Sequence, residues 1–67
     1  MKLINQIWNP HLEKYERTWL ADTEAEVKVG FDPDSAEGST IVVISTSSVW
    51  MKNTKGKWQK TGTTEVI

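Results

Sequence analysis

The chain contains no cysteine, one histidine and two prolines in 67 residues. The lack of cysteine excludes disulfide bonds, and a single histidine without thiolates cannot form a structural zinc site. The first residues are too polar for a secretion signal, and no apolar run approaches the length of a membrane span. We therefore expect a soluble protein made in the cytoplasm, with no membrane partner, no metal and no other cofactor.

Groups that carry out catalysis are also scarce. Nucleophilic catalysis by serine or threonine needs a base and a third group that orients the base. The sole histidine, His11, adjoins a predicted turn, and the pattern pairs it with no such nucleophile. Asp32 and Asp34 lie in an acidic stretch, but no twelve-residue loop ending in a bidentate glutamate is present for calcium. No glycine-rich phosphate loop occurs either. These absences predict that the protein is not an enzyme.

The most conspicuous residues are four tryptophans: Trp8, Trp19, Trp50 and Trp58. A domain this small has a thin interior, and each indole can bury about 150–250 Å². The indoles therefore form the core, or one or two of them anchor a partner. A core role and a partner-binding role for the indoles are compatible if a neighbouring subunit completes the core. Oligomerisation is a common way to stabilise small domains.

The charge is nearly balanced overall but unevenly distributed. Residues 1–38 carry four basic and eight acidic side chains, a net charge of −4, whereas residues 39–67 carry four lysines and one glutamate, a net charge of +3. A dedicated nucleic-acid binder usually shows a clear basic excess, so this balance argues against such a role. The separation suits head-to-tail or side-by-side packing against another subunit, and a homo-oligomer is one such arrangement; the alternative is a solvated surface with incidental segregation.

The C-terminal part predicts a three-stranded antiparallel meander over residues 40–61. Residues 40–45 are apolar on both faces, which is typical of a strand covered on two sides. Residues 46–47 form a tight turn, residues 49–53 the second strand and residues 57–61 the third. Asn53 and Gly56 fit a type I turn with a left-handed glycine between the last two strands.

This turn also predicts the register of the last two strands. Trp50 faces Lys60 and Lys52 faces Trp58, so that both indoles and both lysines share one face while Val49 and Met51 lie on the other. Lysine stems can lie along the indoles there. Such a face suggests three roles: core or interface, a stacking surface for single-stranded nucleic acid, or a platform for sugar rings.

The sequence pattern of the N-terminal part does not distinguish a helix from a strand. Asn9-Pro10 ends a strand-forming start, and residues 10–20 then match helical spacing and strand alternation equally well. Asp22 or Thr23 caps a short helical turn within residues 22–28. Residues 32–39 form an acidic loop, and residues 62–67 a tail.

Three stretches together cover most of the chain: IWNPHLEKYER at 7–17, ADTEAEV at 21–27 and AEGSTIVVISTSSVWMKNTKGKW at 36–58. They are similar to small β-rich structural proteins encoded among the virion genes of tailed phages and prophages of low-GC Gram-positive bacteria. The first resembles a strand-turn-strand opening whose usual turn is Pro-Glu-Thr-Gly-like, whereas residues 10–13 here contain no glycine. The resemblance implies a hairpin over residues 3–20, with its turn at 9–13.

The expected fold is therefore mainly β in a single domain: an N-terminal hairpin, a short helical turn, an acidic loop and a meander, forming one small sheet or a partial barrel. The resemblance implies a virion protein of the head-associated decoration type, bound to the major capsid protein or another virion protein. A tail, neck or baseplate component, or a glycan- or nucleic-acid-binding module, is the alternative. The candidate contact residues are Trp8, Trp19, Trp50, Lys52, Trp58 and Lys60.

Overall fold

The structure is a computed structural model that describes residues 1–28 and 34–67, and its main feature is one five-stranded sheet. The strands are β1 (Lys2–Asn9), β2 (Lys14–Ala21), β3 (Thr40–Val43), β4 (Ser48–Lys52) and β5 (Trp58–Lys60), with one helix, α1 (Glu24–Val27), between β2 and β3. The spatial order follows the chain order, β1 to β5. The prediction of a mainly β chain with one short helical segment is confirmed.

The sheet is mixed, which the sequence did not predict. β2 and β3 run parallel, whereas the pairs β1–β2, β3–β4 and β4–β5 are antiparallel. Parallel neighbours need a long crossover, and the segment that contains α1 provides it. Among the described strands β1 and β5 each have one strand neighbour, so the sheet is open. Of the two expected forms, a small sheet and a partial barrel, the described residues form the first.

Residues 10–20 resolve into a turn and a strand, so the helical alternative is wrong. β1 ends at Asn9 and β2 begins at Lys14, as expected for a turn at 9–13. The Asn9 carboxamide oxygen accepts the backbone N–H groups of His11 at 2.9 Å and Leu12 at 3.2 Å. Glu13 has φ +53°, the left-handed conformation that glycine adopts without strain. Glu13 therefore occupies the position of the turn at which a glycine was expected.

We expect Glu13→Gly to raise the free energy of unfolding by about 0.5–1 kcal/mol. Glycine avoids a left-handed penalty of about 1–2 kcal/mol but loses more chain entropy on folding. Glu37→Gly is the matched control and should destabilise, since Glu37 is exposed and lacks a positive φ. Urea unfolding measures both, and equal destabilisation by the two variants would contradict this account of the turn.

The helical turn is shorter than the predicted 22–28. Thr23 is its N-cap residue, and the Glu26 carboxylate folds back to accept the backbone N–H groups of Asp22 at 2.6 Å and Thr23 at 3.2 Å. Of the predicted loop at 32–39, residues 32 and 33 lie outside the described residues. Residues 34–39 form no helix or strand.

The last two strands have the predicted register: Trp50 pairs with Lys60 and Lys52 with Trp58. The Asn53 carboxamide oxygen accepts the N–H groups of Lys55 and Lys57, both at 3.0 Å. Gly56 has φ +76°, as its place in the turn requires. Local turn chemistry therefore determines how β4 and β5 align.

The core lies on one side of the sheet, here called the inner face. Its fully or nearly fully buried apolar residues are Ala21, Ile41, Val43, Trp50 and Trp58 from the strands and Val27 from α1. On β3, Ile41 and Val43 are 0% exposed, whereas Val42 between them is partly exposed and Ile44 just beyond is 56% exposed. The expectation that this strand is covered on two sides is therefore wrong for the described residues, which cover one.

Glu24, the first residue of α1, joins the helix to the sheet. Its carboxylate accepts the Trp50 indole N–H at 2.9 Å and the Thr46 hydroxyl at 2.8 Å, and it lies 3.3 Å from the Lys60 ammonium. Hydrogen bonds from Thr46, Ser48 and Trp50, together with Lys60, lower the pKa of Glu24 from 4.5 to about 2. One carboxylate thus ties α1 to β4, to the β3–β4 turn and to β5.

The lowered pKa of Glu24 predicts how stability depends on pH. Its stabilising contribution is complete above pH 4.5 and is lost as the pH falls through about 2. Glu24→Gln should therefore lower the free energy of unfolding by about 1–3 kcal/mol at pH 7. This gap in stability between the variant and the parent chain should narrow between pH 4.5 and 2. Urea unfolding across this range measures the gap. Glu37→Gln is the control, and a Glu24→Gln gap that stays constant with pH would contradict the assignment.

Candidate functional site

The six candidate contact residues occupy very different environments. Trp50 is 0% exposed, Trp58 and Lys52 are each 6% exposed, and Val27 packs into the same cluster. The Lys52 ammonium lies 5.8 Å from the Trp58 ring centroid. The predicted pairing of lysines and indoles is present, but it stabilises the interior. The sequence did not indicate that α1 would lie over this side of the sheet.

Lys60, the fourth residue of that face, is also engaged within the chain through its ion pair with Glu24. A stacking platform for bases or sugars needs accessible ring faces. Because Trp50 and Trp58 are buried, the folded chain offers no such platform at the position where the sequence suggested one.

Trp8 is the exposed indole of the four, with 51% of its surface accessible. It packs edge-on against Tyr15, its partner in the hairpin register, with ring centroids 5.0 Å apart and an interplanar angle of 66°. The Arg17 guanidinium carbon lies 5.6 Å from the Tyr15 centroid, and Arg17 Nε donates to Gln6 Oε1 at 2.9 Å. We call Trp8 and Tyr15 the hairpin aromatic pair.

Trp19 lies between these two environments. It is partly buried and packs against the core cluster. Strand alternation places it on the same side of the sheet as Tyr15 and, through the β2–β3 register, as Ile41. The hairpin aromatic pair therefore belongs to the inner side of the sheet, beyond the buried cluster.

The opposite side of the sheet carries an aliphatic surface, here called the open face and defined by Leu20, Val42, Val49 and Met51. Leu20, Val42 and Val49 form one row across β2, β3 and β4, because Leu20 pairs with Val42 and Val42 with Val49. Met51 lies on the same side of β4 and is 42% exposed. In the described part of the chain no helix packs on this face.

Sequence reasoning had placed Val49 and Met51 together but missed Leu20 and Val42. Their assignment depends on the parallel β2–β3 pairing, which no local pattern encodes. The available signal was the β3 run itself, apolar on both of its faces.

Within residues 1–28 and 34–67, no three side chains of the histidine, aspartate and glutamate types come together as a metal site. A search of the same residues for a helix long and apolar enough to cross a bilayer finds none.

Comparisons with other proteins give no identification. No family model, no curated protein and no solved structure matches this chain.

The exposure of the four indoles predicts their response to a soluble quencher. Trp8→Phe should remove the most acrylamide-accessible part of the fluorescence, because Trp8 is half exposed. Trp50→Phe should leave that accessible part in place, since its indole is buried. A Trp8→Phe protein that is quenched as strongly as the parent would contradict the placement of the hairpin aromatic pair.

Proposed function

We propose that this chain is a non-enzymatic structural protein of a tailed-phage particle, of the decoration or accessory type, that binds the head through apolar and aromatic contacts. Its partner is the major capsid protein or another virion protein. The observation that carries the proposal is the open face, an aliphatic surface that the described chain leaves partly exposed although the sequence of β3 is suited to cover on both sides.

The size of the open face sets the strength of a single contact. Its four side chains expose on the order of 200 Å² of apolar surface, and burying that area contributes about 5 kcal/mol before the costs of association. Stable interfaces bury about 800 Å² per partner. The open face therefore needs additional contacts, which a particle with many copies of each subunit provides.

A second apolar surface, the hairpin aromatic pair, lies on the inner side of the sheet. Two apolar surfaces on opposite sides of one thin sheet suit a subunit that lies between neighbours in an assembly. In this proposal the C-terminal strands β3–β5 act as a meander that presents Val42, Val49 and Met51, while the hairpin reaches a neighbouring subunit. A tail, neck or baseplate position would use the same two surfaces.

The glycan- or nucleic-acid-binding alternative is less well supported. It relied on Trp50, Trp58, Lys52 and Lys60 as an exposed face, and three of these four are at most 6% exposed. The burial of these side chains removes the surface on which that alternative depended.

The direct experiment is quantitative mass spectrometry of phage particles purified from lysates of the strain that encodes the chain. The proposal expects the chain in the particles at a stoichiometry comparable with that of the capsid protein. Its absence from particles whose lysate contains it would overturn the proposal.

A variant then assigns the contact to the open face. Met51→Lys should weaken binding at least tenfold, about 1.4 kcal/mol, because it places an ammonium in an apolar contact. Thr54→Lys adds the same charge in the exposed β4–β5 turn and should bind like the parent. Co-sedimentation of labelled chain with particles lacking it compares the two. Equal binding by Met51→Lys and Thr54→Lys would contradict the assignment.

A further inference from the structure

The outer edge of β1 is exposed along almost its whole length. Residues 2–8 are exposed, and among the described strands β2 is the only neighbour of β1. The register shifts between Leu3 and Asn5, which leaves Ile4 without a cross-strand partner, and Pro10 follows the end of the strand. Between this irregularity and the proline, residues 5–9 form a regular edge. Unpaired N–H and C=O groups on such an edge favour addition of another strand.

Residues 5–9 also lack the features that usually protect an edge. Their sequence is Asn-Gln-Ile-Trp-Asn, which contains no charge and no proline. Ile7 at the centre is 57% exposed and Trp8 is 51% exposed. Charged side chains, prolines and bulges are the common means of preventing edge pairing, and here the bulge and the proline lie only at the two ends of the segment.

The opposite edge of the sheet is occupied by the C-terminal residues. Lys60 N–H donates to the Glu65 carbonyl and Ile67 N–H to the Trp58 carbonyl, both at 2.9 Å. Gln59 and Val66 form an antiparallel bridge between these two bonds. A second copy therefore cannot add its β1 to β5 without displacing residues 65–67. The occupied β5 edge therefore favours pairing of β1 with β1 of a second copy, which gives a closed dimer. Head-to-tail addition of β1 to β5 would instead build a fibre.

We propose that two copies of this chain pair through β1, antiparallel, about a twofold axis at Ile7. The symmetry requires one residue to face its own copy, and Ile7 is the middle of the regular segment. Gln6 then faces Trp8, and Asn5 faces Asn9. The two sheets join into one continuous sheet of ten strands, and the most exposed aliphatic side chains of the two edges contact each other.

The charges near the axis permit this arrangement. No residue of the paired segments is charged, so no like charges face each other. The nearest carboxylate is that of Glu16, which pairs with Ile7 across the hairpin. Glu16 and its copy would be three strand spacings apart, about 14 Å, which exceeds the screening length of about 8 Å at physiological salt.

The absence of cysteine allows a direct test by disulfide cross-linking of the full chain. In the proposed pairing the two Ile7 Cα atoms lie about 4.5–5.5 Å apart, within the range of a disulfide. Ile7→Cys should therefore cross-link efficiently on oxidation. Asn5→Cys is the matched control, because its Cα atoms would be offset by four residues, about 14 Å, and should remain largely uncross-linked.

Analytical ultracentrifugation of the parent chain supplies the second readout. We expect a dimer that Ile7→Lys weakens at least tenfold, since two ammonium groups would then face each other at the axis. Ile44→Lys changes an equally exposed isoleucine outside β1 and should leave the dimer intact.

A monomeric parent chain, or equal cross-linking of Ile7→Cys and Asn5→Cys, would overturn the proposal. So would a complex in which β1 binds only a strand of another virion protein. The inference stands on the β1 edge alone, so a monomer in solution would leave the binding of the chain to particles to be decided by its own experiment.

Discussion

The contact between Glu24 and the Trp50 indole determines what α1, the one helix among the described residues, can cover. A four-residue helix has little stability of its own, so it must be held by tertiary contacts. The Glu24 carboxylate provides them by binding Trp50, Thr46 and Lys60 at the same time. Val27 thereby packs in the same buried cluster as Trp50, the largest fully buried side chain. The helix is thereby committed to one side of the sheet.

The two sides and the two edges of the sheet consequently differ. The inner face is closed around Trp50, whereas Leu20, Val42, Val49 and Met51 remain without a covering element in the described residues. The β5 edge is paired with the C-terminal tail, whereas among the described strands β1 has a neighbour on one side only. Uncovered apolar surface and an unpaired edge are both costly in a free chain, and both are relieved by contact with other subunits. The proposed role in an assembly rests on these two features.

Local sequence signals predicted part of this structure well. Asn53 and Gly56 specified the β4–β5 turn, and the turn specified which tryptophan faces which lysine. The prediction of a hairpin at residues 3–20 depended on the resemblance, because residues 10–20 match strand alternation and helical spacing equally well. The parallel pairing of β2 with β3 was not predictable, since the crossover connects residues that are distant in sequence. Without knowledge of that pairing, the sequence could not show that Trp50 and Trp58 are buried whereas Trp8 is exposed.

The central claim of the proposal is that the open face is partly exposed in the free chain and covered in the assembled particle. Oxidation by peroxide tests it most directly, because the chain has two methionines, Met51 on the open face and Met1 at the N-terminus, which are 42% and 39% exposed. The account predicts that both oxidise at similar rates in the free chain and that Met51 alone becomes protected on the particle. Protection of Met51 in the free chain, or unchanged reactivity of Met51 on the particle, would contradict it.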